Sequence, residues 1–207
     1  MCYNFQNKFV NLKKALEDFG AEVDTTDFTL GSINAFSKQE KPTIPAIVNH
    51  NGIILTGTFW GTLEHPDLPT KGKNLRSENT HTYYKKIENN RCLIPASSYF
   101  EYKTVLVEGK KTPLKLKHEM TWKDLDQFYI AGFYDIYKDG SIGFGLVTTI
   151  PNPTQAEIHN RMIITLKPKM GKSFLDRDPI ENFQYPNFSP DLIYKNLEPE
   201  KLPNTLF

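Results

Sequence analysis

A cysteine at position 2, directly behind Met1, opens a chemistry that no internal cysteine has. Once Met1 is removed, Cys2 carries a free α-amine beside its thiol, a 1,2-aminothiol. The amine can form a Schiff base with an aldehyde, and the thiol can then close a five-membered thiazolidine ring. Ordinary pKa values of roughly 8 for an α-amine and roughly 8.5 for a thiol leave a reactive fraction of each at neutral pH. Cysteine is also small enough for a methionine aminopeptidase to accept behind Met1. Many chains begin Met-Cys by chance, so the position alone assigns nothing.

Four further segments combine reactive side chains with tight local structure. Asn74-Leu75-Arg76-Ser77-Glu78 runs from a polar loop into a predicted helix, where an amide and a guanidinium could hold a carbonyl or a phosphate. The same residues also read as an N-cap with a charged first turn. In Tyr99-Phe100-Glu101-Tyr102 a carboxylate stands among aromatics, where burial would raise its pKa and make it an acid. Simple alternation would instead turn Glu101 to water. Thr148-Thr149-Ile150-Pro151-Asn152 ends an apolar strand in a turn. Ile158-His159-Asn160-Arg161-Met162 sets an imidazole and a guanidinium two residues apart, and His159 is the side chain best suited to move protons near neutrality.

These segments need a scaffold, and hydropathy patterning supplies one. Phe9, Leu12, Leu16 and Phe19 fall at helical spacing before Gly20, which predicts a short amphipathic helix. Asn51-Gly52 between Ala46-Ile47-Val48 and Ile53-Ile54-Leu55 predicts a hairpin. Asp139-Gly140 predicts another between strands over 128–137 and 142–149. Strands are expected over 93–107, 112–117 and 162–166, and a helix over 77–87. Prolines from Pro168 to Pro203 predict a mostly irregular tail with short helices. The sum is an α+β protein dominated by antiparallel hairpins, with a curled or barrel-like sheet and peripheral helices. Its 207 residues are expected to form a single domain over 1–207, less regular from about residue 168.

Bulk properties narrow the function classes. No apolar run approaches the roughly 18 residues of a membrane span, and the first residues lack the apolar core of a secretory signal. Two cysteines, Cys2 and Cys92, make neither a disulfide framework nor a metal-ligand pattern, so a cytoplasmic protein with reduced thiols and no metal or cofactor is expected. A net charge of +1 does not announce a nucleic-acid protein, so any such contact must come from a local patch. Lysines between Lys103 and Lys123, and Lys71 and Lys73, form such patches, and equally read as solvated loops.

In order along the chain stand Met1-Cys2, Asn74-x-Arg76-Ser77-Glu78, Leu93-Ile94-Pro95-Ala96 leading to Phe100-Glu101-Tyr102, Ala131-Gly132-Phe133-Tyr134, Thr148-Thr149-x-Pro151-Asn152 and Ile158-His159-Asn160-Arg161-Met162. This ordered set resembles the SOS response-associated peptidase family, also called abasic-site processing proteins, from Cys2 to about Leu166. The resemblance implies a compact α+β domain with a channel for single-stranded DNA. It further implies that the N-terminal cysteine captures the ring-opened aldehyde of an abasic site as a thiazolidine DNA–protein crosslink. By the same resemblance Cys2 is the nucleophile and Asn74 orients the sugar or the cysteine amine. Glu101 assists the Schiff-base proton transfers, and His159 acts on the sugar hydroxyl in ring opening and crosslink reversal. Arg76 and Arg161 would contact phosphates, and Phe59 and Trp60 would stack beside the lesion, although Phe59 also reads as core.

The expected partner is therefore single-stranded DNA containing abasic sites, bound by a monomer. The replication machinery is a compatible partner that no residue identifies. Three departures from the family pattern are local. Met1-Cys2-Tyr3-Asn4-Phe5 stands where Met-Cys-Gly-Arg-Phe is common, which removes a charge and adds bulk. Tyr99-Phe100-Glu101-Tyr102 replaces Phe-Tyr-Glu-Trp, and only Phe59-Trp60-Gly61 echoes Arg-Trp-Gly-Leu-Ile-Pro. Two other functions fit the same residues: a cysteine autopeptidase or amidohydrolase using Cys2, His159 and Glu101, or a module that binds single-stranded DNA without a covalent bond.

Overall fold

The computed structural model describes residues 4–36, 42–61, 73–109 and 111–202. Two sheets carry the fold. The first runs, in spatial order, β14 (Leu192–Asn196), β9 (Leu114–Trp122), β8 (Ser98–Val105), β1 (Asn4–Gln6) and β3 (Ser32–Asn34), with every pairing antiparallel. The second runs β12 (Met162–Ile163), β11 (Ile142–Thr149), β10 (Phe128–Ile136), β7 (Arg91–Ala96), β4 (Ile44–Asn49), β5 (Ile53–Trp60) and β2 (Glu22–Val23). A parallel contact of Gly143 with Phe59 and Phe144 with Trp60 joins β11 back to β5, so β5, β4, β7, β10 and β11 close a ring. The expected α+β class and curled sheet are what the chain adopts. Closure leaves no free edge between these five strands.

Alternation explains why the ring strands are apolar on both faces. Ala46, Val48, Cys92, Ile94, Ile130 and Leu146 pack in one cluster with Phe5, Tyr99 and Trp122 of the first sheet. Ile47, Leu93, Tyr129, Ala131 and Val147 point the other way, against the helices α1 (Leu12–Phe19) and α3 (Pro168–Leu175). Each strand is thus buried twice, which a period of two with apolar residues at both phases requires.

Local signals set the connections. Asn11 caps α1 by accepting the Lys14 N–H at 3.0 Å, and Gly20 ends it at φ +63° with its N–H on the Leu16 carbonyl. The helix begins at Leu12, so Phe9 stays outside it and exposed. Asn51 (φ +54°) and Gly52 (φ +137°) turn β4 into β5, with Asn49 opposite Ile53. Asp139-Gly140 turns β10 into β11, with Ile136 opposite Ile142.

Three expectations change. The helix expected over 77–87 is a 3₁₀ turn, Ser77–Asn79, followed by further turns to residue 89. Thr80, Thr82 and two tyrosines are poor helix formers, and the Thr82 hydroxyl bonds the Asn79 carbonyl locally. The single strand expected over 93–107 is two strands in two sheets. The chain changes sheets at Ser97, whose N–H and hydroxyl both donate to the Gln6 carbonyl (2.8 and 3.2 Å). The tail is more ordered than its prolines suggest: it supplies β14 and α3, and Phe174, Leu175, Ile180 and Phe183 are buried.

Candidate active site

β8 is the strand on which the site is built. Glu101 lies at 2 % exposure, and burial raises its carboxyl to about 7. Such a group keeps a substantial protonated fraction at neutrality, unlike an ordinary carboxylate. Water is not where its side chain points. Phe5 of β1 is paired with Tyr99, and Asn4 lies one residue further along the ladder toward Glu101. Cys2, with Met1 and Tyr3, lies outside the described residues.

The second segment forms β6 (Asn74–Arg76), paired in parallel with β11 through Asn74–Leu146 and Arg76–Thr148. This pairing sets the Asn-x-Arg motif against the Thr148-Thr149 motif. Asn74 is half-buried and Arg76 is exposed. In the turn that follows, Ser77 is buried and Glu78 meets Arg161.

Arg161 is engaged within the protein. Its Nη1 and Nη2 donate to the two Glu78 carboxylate oxygens at 2.6 and 2.9 Å, and Nη2 also reaches the Thr148 carbonyl (2.8 Å) and hydroxyl (3.1 Å). Partial burial would raise the Glu78 carboxyl, but the Arg161 bonds and charge prevail and hold it below its usual value. One side chain thereby ties β11 to the turn after β6.

His159 follows α2 (Pro153–Ala156), which Asn152 caps by accepting the Gln155 N–H at 2.9 Å. Its Nδ1 accepts the Arg161 backbone N–H at 3.1 Å, which places the proton of the neutral ring on Nε2. Burial lowers its pKa, so the ring is neutral at pH 7. An open cleft of about 400 Å³ runs beside it, lined on one side by Tyr102, Lys103 and Thr104 and on the other by residues 156–160.

Sequence reasoning passed over the connector of these parts. Gln155 is fully buried; its Oε1 accepts the Tyr99 hydroxyl at 2.8 Å and its Nε2 donates to the Arg161 carbonyl at 3.0 Å. The signal was present in Asn152-Pro153, an N-cap with proline at N1, which forecasts a helical turn at Gln155.

The two aromatics part company. Trp60 is buried at 6 %, with Phe5 at 5.3 Å, Phe144 stacked at 6.3 Å, and its Nε1–H on the Lys73 carbonyl at 2.9 Å. It cannot offer a face to a base without leaving the core. Phe59 is half-exposed and leans on Tyr137 at 5.1 Å. Gly143 makes room for both: a Cβ there would meet the rings of Tyr137 at 2.6 Å and Phe59 at 2.9 Å.

Comparison with known proteins identifies the family and the fold. The family model described as SOS response associated peptidase (SRAP) matches residues 1–191. The abasic site processing protein YoaM of Bacillus subtilis is 30 % identical over 169 residues, covering 75 % of this chain and 68 % of that protein. The abasic site processing protein YoqW of Bacillus subtilis is 29 % identical over 122 residues, covering 57 % of this chain and 49 % of that protein, so this match spans about half of the relative's length. Among solved structures, a protein from Bacteroides thetaiotaomicron superposes with a TM-score of 0.71 at 19 % identity, covering 94 % of this chain and 91 % of that one. A phage-related protein from Bordetella bronchiseptica superposes at 0.66 and 18 % identity, covering 95 % and 94 %. At these identities the structures speak for the fold.

Proposed function

The chain belongs to the SOS response associated peptidase family, and on that premise we propose that it captures abasic sites in single-stranded DNA as a thiazolidine through Cys2. The α-amine of Cys2, freed of Met1, adds to the C1′ aldehyde of the ring-opened sugar to give a carbinolamine. Loss of water leaves an imine. The thiol then adds to the imine carbon while the nitrogen takes up the thiol proton, which closes the ring. One C–N and one C–S bond form, and one water is released.

The observation that carries this reading is Glu101. It is a buried carboxyl raised to about 7, on the strand with which β1 (Asn4–Gln6) is paired. Dehydration of a carbinolamine needs an acid beside the leaving hydroxyl, and a carboxyl that keeps a substantial protonated fraction at neutrality meets that need. His159 has a complementary role. With its proton on Nε2 the neutral ring donates a hydrogen bond to the sugar oxygen on which charge develops as the hemiacetal opens, and makes the same bond in reversal. Asn74 orients the sugar or the amine. Arg76, exposed at the end of β6, contacts a flanking phosphate. Arg161 serves that contact by fixing Glu78 and the end of β11, and half-exposed Phe59 stacks on a base.

The test is a denaturing gel of processed protein with a single-stranded oligonucleotide bearing one abasic site. A heat-stable shifted band is expected, absent in Cys2→Ala. It should also be absent when one residue is inserted ahead of Cys2, because the amine then leaves the thiol's carbon skeleton. A band of wild-type strength in Cys2→Ala would sink the thiazolidine. Binding with no covalent band would reduce the protein to a DNA-binding module.

A further inference from the structure

We infer that Gln155 is a positioning residue of this site: its side chain locks the His159–Arg161 segment onto β8, the strand that carries Glu101. What the locked imidazole does rests on the crosslinking reading above; the locking itself does not.

Gln155 has no exposed surface, yet every polar group it owns is used. Its N–H goes to the Asn152 side chain at 2.9 Å. Its carbonyl accepts the Ile158 and His159 N–H groups at 3.0 and 2.9 Å. Its side chain takes the Tyr99 hydroxyl on one side and holds the Arg161 carbonyl on the other (2.8 and 3.0 Å). Arg161 in turn gives its own N–H to Nδ1 of His159 at 3.1 Å. A continuous set of bonds therefore runs from Tyr99, two residues before Glu101 and on the same face of β8, to the imidazole ring.

Length makes this set necessary. α2 has four residues, too few to hold a helical geometry by its own hydrogen bonds. The ring of His159 lies beyond its end, at the rim of the cleft. A leucine or methionine would fill the space of Gln155 but would remove the acceptor that Gln155 gives the Tyr99 hydroxyl and release the Arg161 carbonyl. The residue whose N–H donates to Nδ1 would then lose this backbone tether, and the ring could exchange its tautomer and its aim.

The experiment compares the full chain with Gln155→Met, Tyr99→Phe and the double variant by three readings. The first is the imidazole nitrogen shifts of His159 without DNA. The second is the crosslinking rate at saturating abasic oligonucleotide, and the third is affinity for an oligonucleotide carrying the unreactive tetrahydrofuran analogue. His159 should pass from one Nε2–H tautomer to a mixture in both single variants. Crosslinking should slow roughly tenfold in Gln155→Met and by less in Tyr99→Phe, while analogue affinity stays within about twofold. The double variant should be no slower than Gln155→Met, because both substitutions cut the same connection. Unchanged nitrogen shifts in Gln155→Met, or an affinity that falls in step with the rate, would overturn the inference. If Gln155→Met does not fold, Tyr99→Phe, which removes a single oxygen, is read against the same outcomes. A wild type that forms no crosslink refutes the proposed function, and the nitrogen shifts still decide the role of Gln155.

Discussion

The guanidinium of Arg161 and the carboxylate of Glu78 meet fork to fork, at 2.6 and 2.9 Å, across 83 residues of sequence. Arg161 is also held by Thr148, whereas Arg76, two residues before Glu78, is exposed. The two arginines are therefore placed differently, one tied into the protein and one open to solvent. Arg161→Lys is expected to lower stability by about 1–3 kcal/mol, since a lysine cannot reproduce a bidentate bond and a carbonyl contact together. Arg76→Gln should leave the unfolding midpoint unchanged, weaken DNA binding and reduce the slope of log affinity against log salt by roughly 0.7. Denaturant melts and salt-dependent binding curves separate the two.

Glu101 predicts the pH dependence. Its carboxyl is raised from 4.5 to about 7 in the fold, so the unfolded chain releases that proton first as pH rises. Stability from this group is complete below 4.5 and is lost as pH climbs toward 7. Glu101→Gln should thus be more stable than wild type above pH 7, on the order of 2 kcal/mol, and nearly equal at pH 4. The crosslinking rate of wild type should fall as pH rises through about 7, once the fraction of free amine is divided out. In Glu101→Gln it should be slower and lose that fall.

Trp60 and Phe59 should respond in opposite ways. Trp60→Ala removes a ring packed between Phe5 and Phe144 and should cost about 3–5 kcal/mol of stability. Phe59→Ala should cost much less, because its ring is half-exposed, but should weaken single-strand binding by about 1–3 kcal/mol if a base stacks there. Thermal melts and oligonucleotide titration read each effect.

Cys92 is fully buried in β7, and burial pushes its thiol well above the ordinary range. Thiol reagents should not reach it until the protein unfolds. Cys92→Ala should crosslink at the wild-type rate while losing about 1–2 kcal/mol of stability. Mass spectrometry of alkylated native protein checks the first point.

Turn residues made much of the fold legible. Asn51-Gly52, Asp139-Gly140 and Gly20 each demand a backbone state that few residues tolerate, and each marks the boundary expected of it. Where no residue demanded a state, long-range packing decided. Nothing in Leu93–Val107 announces that the chain leaves one sheet for another at Ser97, because the determinant is the Gln6 carbonyl, 91 residues away. β14 forms because β9 offers it a ladder. For the site, ordered motifs supplied the candidate residues, but Gln155 and the two fates of Phe59 and Trp60 needed three dimensions. Hydrogen-bond partners and covered faces are properties of neighbours, and neighbours are not adjacent in sequence.

β1 has one further consequence, for the order of events at the ribosome. Phe5 is paired with Ile33 on one side and Tyr99 on the other, and the second partner emerges 94 residues after Phe5. At 5–20 residues per second that interval is roughly 5–20 s. During it the nascent first strand has no β8 to join, and an aminopeptidase travelling with the ribosome has a pliant peptide to trim. On the proposed reading, removal of Met1 and completion of the sheet thus become a race between two clocks, and slower elongation over this stretch would favour the trimmed form.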